Sequence, residues 1–343
     1  MGNKIRVLVV DDSFLMRKLL SDIIAGDPDL VVIDKAKNGQ EALEKILRLK
    51  PDVVTMDINM PLMDGLAVLK EVMMKQPTRI IMISAYTRSG ASATFDALKL
   101  GAVDFIPKPS GEISLDLRRL KDEIIAKIKI AAAVDINKAV SSLTIAPFKE
   151  IRKISEPKVV VIGASTGGPR VLLEIMQHLP HAISAPVLIV QHMPEGFTLT
   201  FAERLAWESE IRTKEAENDD ILEAGKAFVA PAGYHMVLEK SGNQVCIRLN
   251  QDPFINFVRP SIDPTLMSAA EIFGTGVIAV ILTGMGKDGL DGSRRVKEKG
   301  GVVIVQNQET SAVWGMPRAV SEAGLANEVV PAVGVADTIL RYL

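Results

Sequence analysis

Val159-Val160-Val161-Ile162-Gly163-Ala164-Ser165-Thr166-Gly167-Gly168-Pro169 reads as a strand, a tight turn and the first turn of a helix. A continuous apolar run of this length fits a strand buried on both faces, as in a parallel sheet. The glycines allow the backbone its positive φ angles and close approach. Pro169 suits the first helical turn, where its missing N–H would have been unsatisfied anyway. Gly163, Ser165 and Gly167 fit G-x-S-x-G, in which a serine is presented on a sharp strand-to-helix turn. The helix N-terminus adds free N–H groups and the positive end of a dipole. A dinucleotide fingerprint would want glycine where Ser165 stands and an acidic residue ending the next strand, which instead ends Gln191-His192. A phosphate-binding loop would want Gly-Lys-Ser/Thr. A purely structural turn stays open, because a lone G-x-S-x-G is a weak signal.

Working outward, Pro186–Val190, Ala227–Ala230, Val277–Leu282 and Val302–Gln306 also read as strands, with Gln244–Leu249 expected in an antiparallel excursion. The chain has four histidines: His178, His181, His192 and His235. The first two flank Leu179-Pro180 at a helix end, where a cation complements the dipole. His192 follows a strand at its carboxyl end, beside the strand that carries Ser165, where a base is needed. His235, in a turn after Pro231-Ala-Gly-Tyr, is the fallback. Ile281-Leu-Thr-Gly-Met-Gly-Lys-Asp288-Gly289 is again strand, glycine loop and helix. Asp288 reads either as a helix cap or as the residue that fixes the histidine tautomer and stabilises the imidazolium. The chain order is Ser, His, Asp, whereas α/β-hydrolases run Ser, acid, His.

The first half shows the same alternation. Ile5–Val10, Leu30–Ile33, Val53–Met56, Arg79–Ser84 and Val103–Ile106 read as strands with helical-period stretches between them, which implies a parallel sheet covered on both faces. Asp11 and Asp12 follow the first strand, Asp57 the third, Ser84 ends the fourth and Lys108 lies just past the fifth. In a doubly wound sheet these positions converge on the edge where ligands bind. Three close carboxylates raise one another's pKa unless a cation intervenes, and a hard divalent ion such as Mg2+ suits them. Lys108 adds a point positive charge, and Ser84 a hydroxyl for an added oxygen.

The 343 residues predict two domains. The boundaries are read as 1–128, a linker over 129–156 carrying Ala131–Ala133, Ser141-Ser142 and Pro147, and 157–343, which opens on Pro157. With 40 Lys plus Arg against 42 Asp plus Glu, net charge −2, the chain offers no whole-molecule attraction for nucleic acid or anionic membrane. One cysteine, Cys246, excludes an intrachain disulfide and a cysteine-based metal site. No apolar run has signal-peptide or membrane-span length, so direct membrane insertion is not expected and a cytoplasmic location is.

Two resemblances follow from these residues. Val-Val-Asp11-Asp12-Ser, Met-Asp57-Ile-Asn-Met-Pro61-Leu-Met-Asp64-Gly65, Ile-Ser84-Ala and Pro107-Lys108-Pro109 resemble the flavodoxin-like receiver domain of bacterial response regulators over about residues 4–125. The resemblance implies phosphoryl transfer from a histidine kinase to Asp57. Mg2+ would be held by Asp11, Asp12, Asp57 and the carbonyl of Asn59. Ser84 and Lys108 would read the acyl phosphate, Phe105 would be the switch aromatic, and Lys108-Pro109 a frequent cis bond. The motifs Gly163-Ala-Ser165-Thr-Gly-Gly, Gln191-His192-Met-Pro, Ala230-Pro-Ala-Gly-Tyr-His-Met, Arg259-Pro-Ser-Ile-Asp and Leu282-Thr-Gly-Met-Gly-Lys-Asp288-Gly resemble the chemotaxis protein-glutamate methylesterases, with Pro231-Ala-Gly where that family more often has Pro-Gly-Gly.

That likeness implies a Rossmann-like esterase domain that hydrolyses glutamate methyl esters, and often deamidates glutamines, on chemoreceptors. Ser165 would be nucleophile, His192 base and Asp288 its orienter, with the N–H groups of Met285 and Thr166 as oxyanion donors and no cofactor for the esterase reaction. The unphosphorylated receiver would dock over the cleft and occlude it. An apolar rim of Met193, Phe197, Met285, Trp314 and Met316 is weighed against these being core residues. Competing readings are a transcriptional response regulator, a nucleotide-binding module at Gly163–Gly168, and a catalytically dead phospho-dependent adaptor. The second half shows no recognition helix or basic cluster.

Overall fold

The structure is a computed structural model that describes residues 4–85, 87–108, 116–134, 136 and 157–343, with only the backbone of 116–120. The chain divides into two compact units, Met1–Ser141 and Ser142–Leu343.

The first unit runs β1 (Ile5–Val10), α1 (Phe14–Ala25), β2 (Leu30–Ala36), α2 (Gly39–Leu49), β3 (Val53–Asp57), α3 (Gly65–Lys75), β4 (Ile80–Ser84), α4 (Arg88–Lys99), β5 (Asp104–Pro107) and α5 (Asp116–Ala133). Its sheet has the order β2-β1-β3-β4-β5, parallel throughout, which is the flavodoxin-like winding. β3 and β4 are buried at every position, which is why they are mostly apolar up to the Asp57 and Ser84 at their carboxyl ends. Four helices start where a polar side chain accepts the N–H three residues on: Ser13 from Met16, Asn38 from Glu41, Asp64 from Ala67 and Thr87 from Gly90. Each such cap is worth about 1 kcal/mol, and together they end the loops that form the ligand edge. The strand order reverses between β1 and β3, so the crevice there lies between the ends that carry Asp11 and Asp57.

The second unit continues with β6 (Val159–Ala164), α6 (Gly168–His178), β7 (Val187–Gln191), α7 (Thr198–Glu208), β8 (Arg212–Glu215), β9 (Lys226–Val229), β10 (His235–Ser241), β11 (Gln244–Asn250), α8 (Ile262–Phe273), β12 (Val277–Ile281), α9 (Leu290–Glu298), β13 (Val302–Gln306), α10 (Met316–Glu322), β14 (Glu328–Val330) and α11 (Val335–Tyr342). The main sheet has the order β14-β13-β12-β6-β7-β9-β8, all parallel, and β10-β11 form a separate antiparallel hairpin. β6, β7 and β12 are wholly buried, so this is a Rossmann-like doubly wound sheet with its core on the central strands.

Three strands were not legible. β8 is an edge strand whose exposed positions are charged, β14 is only three residues long, and His235 opens β10 rather than sitting in a turn. No helix among the described residues is long and apolar enough to cross a membrane. The expected cis bond at Lys108-Pro109 falls outside the described residues. The cis bond found among them is Arg259-Pro260.

Candidate active site and phosphoacceptor site

Ser165, His192 and Asp288 follow three adjacent strands. In the register, Ala164 pairs with Gln191 across β6–β7, and Gly163 with Ile281 across β6–β12. The strand order reverses at β6, which places the crevice over Ser165. The backbone holds the serine turn from both sides: Ser165 N–H donates to Thr283 O (3.0 Å), Gly168 N–H to Ser165 O (2.8 Å) and His192 N–H to Ala164 O (3.0 Å). Gln191 Nε2 donates to the carbonyls of both Ser165 and His192, each at 2.9 Å. Gly167 sits at φ 78° as the residue before α6, a conformation a β-carbon would strain. A β-carbon on Gly284 would come within 2.7 Å of Ser165 Cβ, so only glycine lets the 283–286 loop close on the serine.

His192 Nε2–H donates to Asp288 Oδ2 at 2.7 Å. That leaves Nδ1 with the lone pair, the reverse of the chymotrypsin assignment. Among the described residues Ser165 Oγ carries no hydrogen bond, to His192 or elsewhere; serine–histidine contacts often tighten only when substrate binds. The N–H of Met285 meets no acceptor among the described residues, and the Met285 side chain is 54% exposed. Thr166 is buried, and its carbonyl accepts from Thr283 Oγ1 at 2.9 Å. His235, the fallback base, is buried with both ring nitrogens engaged: Nδ1 accepts from Ser261 N–H and Nε2 donates to Pro253 O, each at 3.2 Å. Burial pushes its pKa down, so it is a neutral structural group.

Around Asp288 lie partners to which the sequence reading gave no role. Ser261 Oγ (2.6 Å), Asn256 Nδ2 (3.3 Å) and Gly289 N–H (3.1 Å) donate to Oδ1, while Ile262 N–H (2.8 Å) joins His192 on Oδ2. Burial alone would raise this carboxyl, but His192, Ser261 and the helix N-terminus of α8 outweigh it and hold it down at about 2. It is an anion that accepts and never donates. Asp263 lies beside it, buried, receiving Gly292 N–H (2.7 Å) and sharing Asn256 Nδ2 (3.2 Å). Each carboxylate therefore caps the other's helix: Asp288 precedes α9 and takes an N–H of α8, and Asp263 in α8 takes an N–H of α9. Ser261 and Asp263 both lie in the quoted Arg259-Pro-Ser-Ile-Asp stretch, the one signal that pointed to them.

Burial first, then the negative charge of Asp288, raises Asp263 to about 7. In the unfolded chain it ionises near 3.8. Between those values the folded state binds the extra proton, so this group's contribution to stability falls as pH rises through that window. Asp263→Asn is expected to remove that fall. Urea midpoints followed across the window should decline with pH in the wild type and less in the variant. Parallel declines would show that Asp263 is ionised in the folded protein.

Of the expected apolar rim, Met193, Phe197 and Met316 are buried core and Trp314 is half-buried against it; Met285 alone is exposed. The larger exposed apolar groups near Asp288 are Phe254 and Phe257, which the sequence reading did not single out.

In the first unit, carboxylate oxygens of Asp11, Asp12 and Asp57 lie within 4.8 Å of one another. Lys108 Nζ is 3.2 Å from Asp11 Oδ2 and 2.8 Å from Asp57 Oδ2, a point-charge contact that leaves these two buried oxygens without a directed hydrogen bond. Burial raises the Asp57 carboxyl, with the Asp11 charge adding to it, although Lys108 pulls the other way. Three carboxylates against one lysine, with unfilled buried lone pairs, fit a divalent cation. Asn59 follows on an exposed turn, its N–H 3.4 Å from Asp57 Oδ1. Ser84 is buried, its Oγ donating to Gly90 O (3.0 Å) and accepting from Thr94 Oγ1 (2.8 Å). Phe105 is buried, with Lys127 Nζ 5.1 Å from its ring centre.

A flavodoxin-like sheet with an acidic pocket at its switch point, joined in one chain to a Rossmann-like unit with a Ser-His-Asp constellation, defines a response regulator with an enzymatic output domain. Residues 7–118 match the response regulator receiver domain, and residues 160–339 match the CheB methylesterase family. A protein-glutamate methylesterase/protein-glutamine glutaminase of Pyrococcus abyssi is 48% identical over 99% of this chain and 94% of its own length. One of Thermotoga maritima is 47% identical over 99% and 98%. The crystal structure of the Thermotoga maritima CheB methylesterase catalytic domain is 45% identical, covers 55% of this chain and 100% of that chain, and superposes with a TM-score of 0.54. The chain belongs to the protein-glutamate methylesterase/protein-glutamine glutaminase family of chemotaxis, and it is a carboxylic-ester hydrolase.

Proposed function

We propose that Ser165 is the nucleophile, His192 the general base through Nδ1, and Asp288 the anion that holds the imidazole. The observation that carries this is the 2.7 Å bond from His192 Nε2–H to an Asp288 held ionised by its other donors, at the end of the strand next to that of Ser165. Nδ1 takes the Ser165 Oγ proton as Oγ attacks the glutamyl ester carbon. The oxyanion lies on the unpartnered N–H of Met285, with Thr166 N–H as second donor. Collapse returns the proton to the leaving methoxide, giving methanol. Water then repeats the cycle, releasing glutamate and restoring the serine; with glutamine, ammonia leaves instead. A positioned base is worth about 10²–10⁴ in rate and an oxyanion donor about 10²–10³.

In the receiver, Asp57 accepts the phosphoryl group from a chemotaxis histidine kinase. Asp11, Asp12, Asp57 and the Asn59 carbonyl would hold Mg2+, which would supply positive charge against the phosphoryl oxygens. Lys108 pairs with the phosphoryl oxygens. Ser84 exchanges its Gly90 and Thr94 bonds for one of those oxygens, and Phe105 repacks. The substrates are methyl-accepting chemoreceptors met in the cytoplasm, with neither nucleic acid nor membrane as a direct partner. The working division is receiver 1–128, linker 129–156 and catalytic domain 157–343. The unphosphorylated receiver inhibits the catalytic domain, and phosphorylation that moves the docked-to-free ratio from 99:1 to 1:99 must supply about 5.5 kcal/mol.

The test is methanol release from methylated receptor, with and without a phosphodonor and Mg2+. Stimulation is expected in the wild type and not in Asp57→Asn. A chain starting at Pro157 should outpace the full chain when no phosphodonor is present. Equal specific activities would rule out inhibition by the receiver.

A further inference from the structure

The segment Ile255-Asn256-Phe257-Val258 folds back on itself, Ile255 N–H donating to Val258 O at 3.3 Å and Val258 N–H to Ile255 O at 3.0 Å. Asn256 lies at φ 52° and Phe257 at φ 66°. Two successive left-handed residues make the type I′ turn, whose preferred sequence is Asn-Gly. Asn256 suits its place. Phe257 stands where glycine is preferred, and a bulky residue at positive φ is a backbone outlier. Strain of this kind persists when the surroundings over-determine it, and it concentrates at functional sites.

Packing does not offset that strain, because Phe257 is 99% exposed. Its backbone is nonetheless fixed. Asn256 Nδ2 reaches between Asp263 Oδ2 (3.2 Å) and Asp288 Oδ1 (3.3 Å), so the turn is tied to the carboxylate that holds His192. Below it the Arg259 guanidinium lies 4.5 Å from the Phe254 ring centre, and Phe254 and Ile255 are themselves exposed. The turn thus presents an apolar tip, pre-positioned one side chain from Asp288, that gains nothing in the isolated protein. The substrate is a glutamyl ester on a protein, so protein surface must lie along the rim when the ester reaches Ser165. A rigid, exposed aromatic is well suited to anchor such a contact.

We infer that Phe257 is a substrate-contact residue, its ring packing on an apolar surface of the methylated receptor beside the reacting glutamate. This rests on the site proposed around Ser165. It predicts that Phe257 governs preference for the protein substrate over a small ester.

The experiment compares full-length wild type, Phe257→Gly and Phe257→Asn, all with phosphodonor and Mg2+, on methylated receptor and on free glutamate γ-methyl ester. Both replacements accept left-handed backbone and remove the ring. The ratio of kcat/KM on receptor to that on the small ester is expected to fall about tenfold, through a higher receptor KM, with melting temperatures no lower than wild type. An unchanged ratio in both variants, or a lower melting temperature in both, would overturn the inference, the latter by showing that the ring packs within the protein. If the wild type released methanol from neither substrate, the fault would lie with the proposed function itself.

Discussion

Ser165→Ala is expected to lower methanol release from methylated receptor by about 10⁴-fold or more, because loss of a serine nucleophile removes the covalent route and leaves only binding and oxyanion stabilisation. The fold should be unaffected. Ser165 is only partly buried and its Oγ makes no hydrogen bond among the described residues, so alanine leaves no buried group unpaired. A change in unfolding free energy within about 0.5 kcal/mol is expected. Methanol release near the wild-type rate from a folded Ser165→Ala protein would remove the serine from the mechanism. Loss of activity together with loss of fold would instead make the turn structural.

Asp288→Asn is expected to cost about 10⁴ in kcat, the penalty seen when the acid of such a triad is neutralised. Asp288 accepts from His192, Ser261, Asn256, Ile262 and Gly289. An asparagine amide must turn a donor toward some of these donors, which leaves buried groups unsatisfied at about 1–3 kcal/mol each. This variant should therefore lose stability as well as rate, unlike Ser165→Ala. If its amide NH₂ faces His192, Nε2 becomes the acceptor and Nδ1 carries the proton, the wrong nitrogen for taking one from serine. The readout is kcat with the melting temperature beside it. A variant within tenfold of wild type in kcat would show that His192 does not need the anion.

Much of this was legible because parallel sheets write themselves plainly. β3, β4, β6, β7 and β12 are buried on both faces, so they are almost wholly apolar, and the chemistry-bearing residues sit at or beyond their carboxyl ends. Elements that lack burial left no such mark: β8 at the sheet edge carries Arg212 and Lys214. The choice between an apolar rim and core stayed open in the sequence for a related reason. Met193, Phe197 and Met316 are apolar because they are core, and nothing in their spacing separates a core methionine from one lining a cleft. Phe257 had the opposite problem, since a single aromatic in a loop has no period to betray it.

The sequence by itself determined two doubly wound units, the carboxylate cluster of Asp11, Asp12 and Asp57, and the residue types at the ends of β6, β7 and β12, because local patterning dictates those. The tertiary structure decided which nitrogen of His192 faces Asp288, that His235 is spent on structural bonds, and that Asp263 shares Asn256 with Asp288 while each carboxylate caps the other's helix. These depend on contacts between segments from 7 to 96 residues apart in the chain. Hydrogen-bond direction, burial and the resulting proton positions exist only once such segments are packed together, so no local reading of residue type or period contains them.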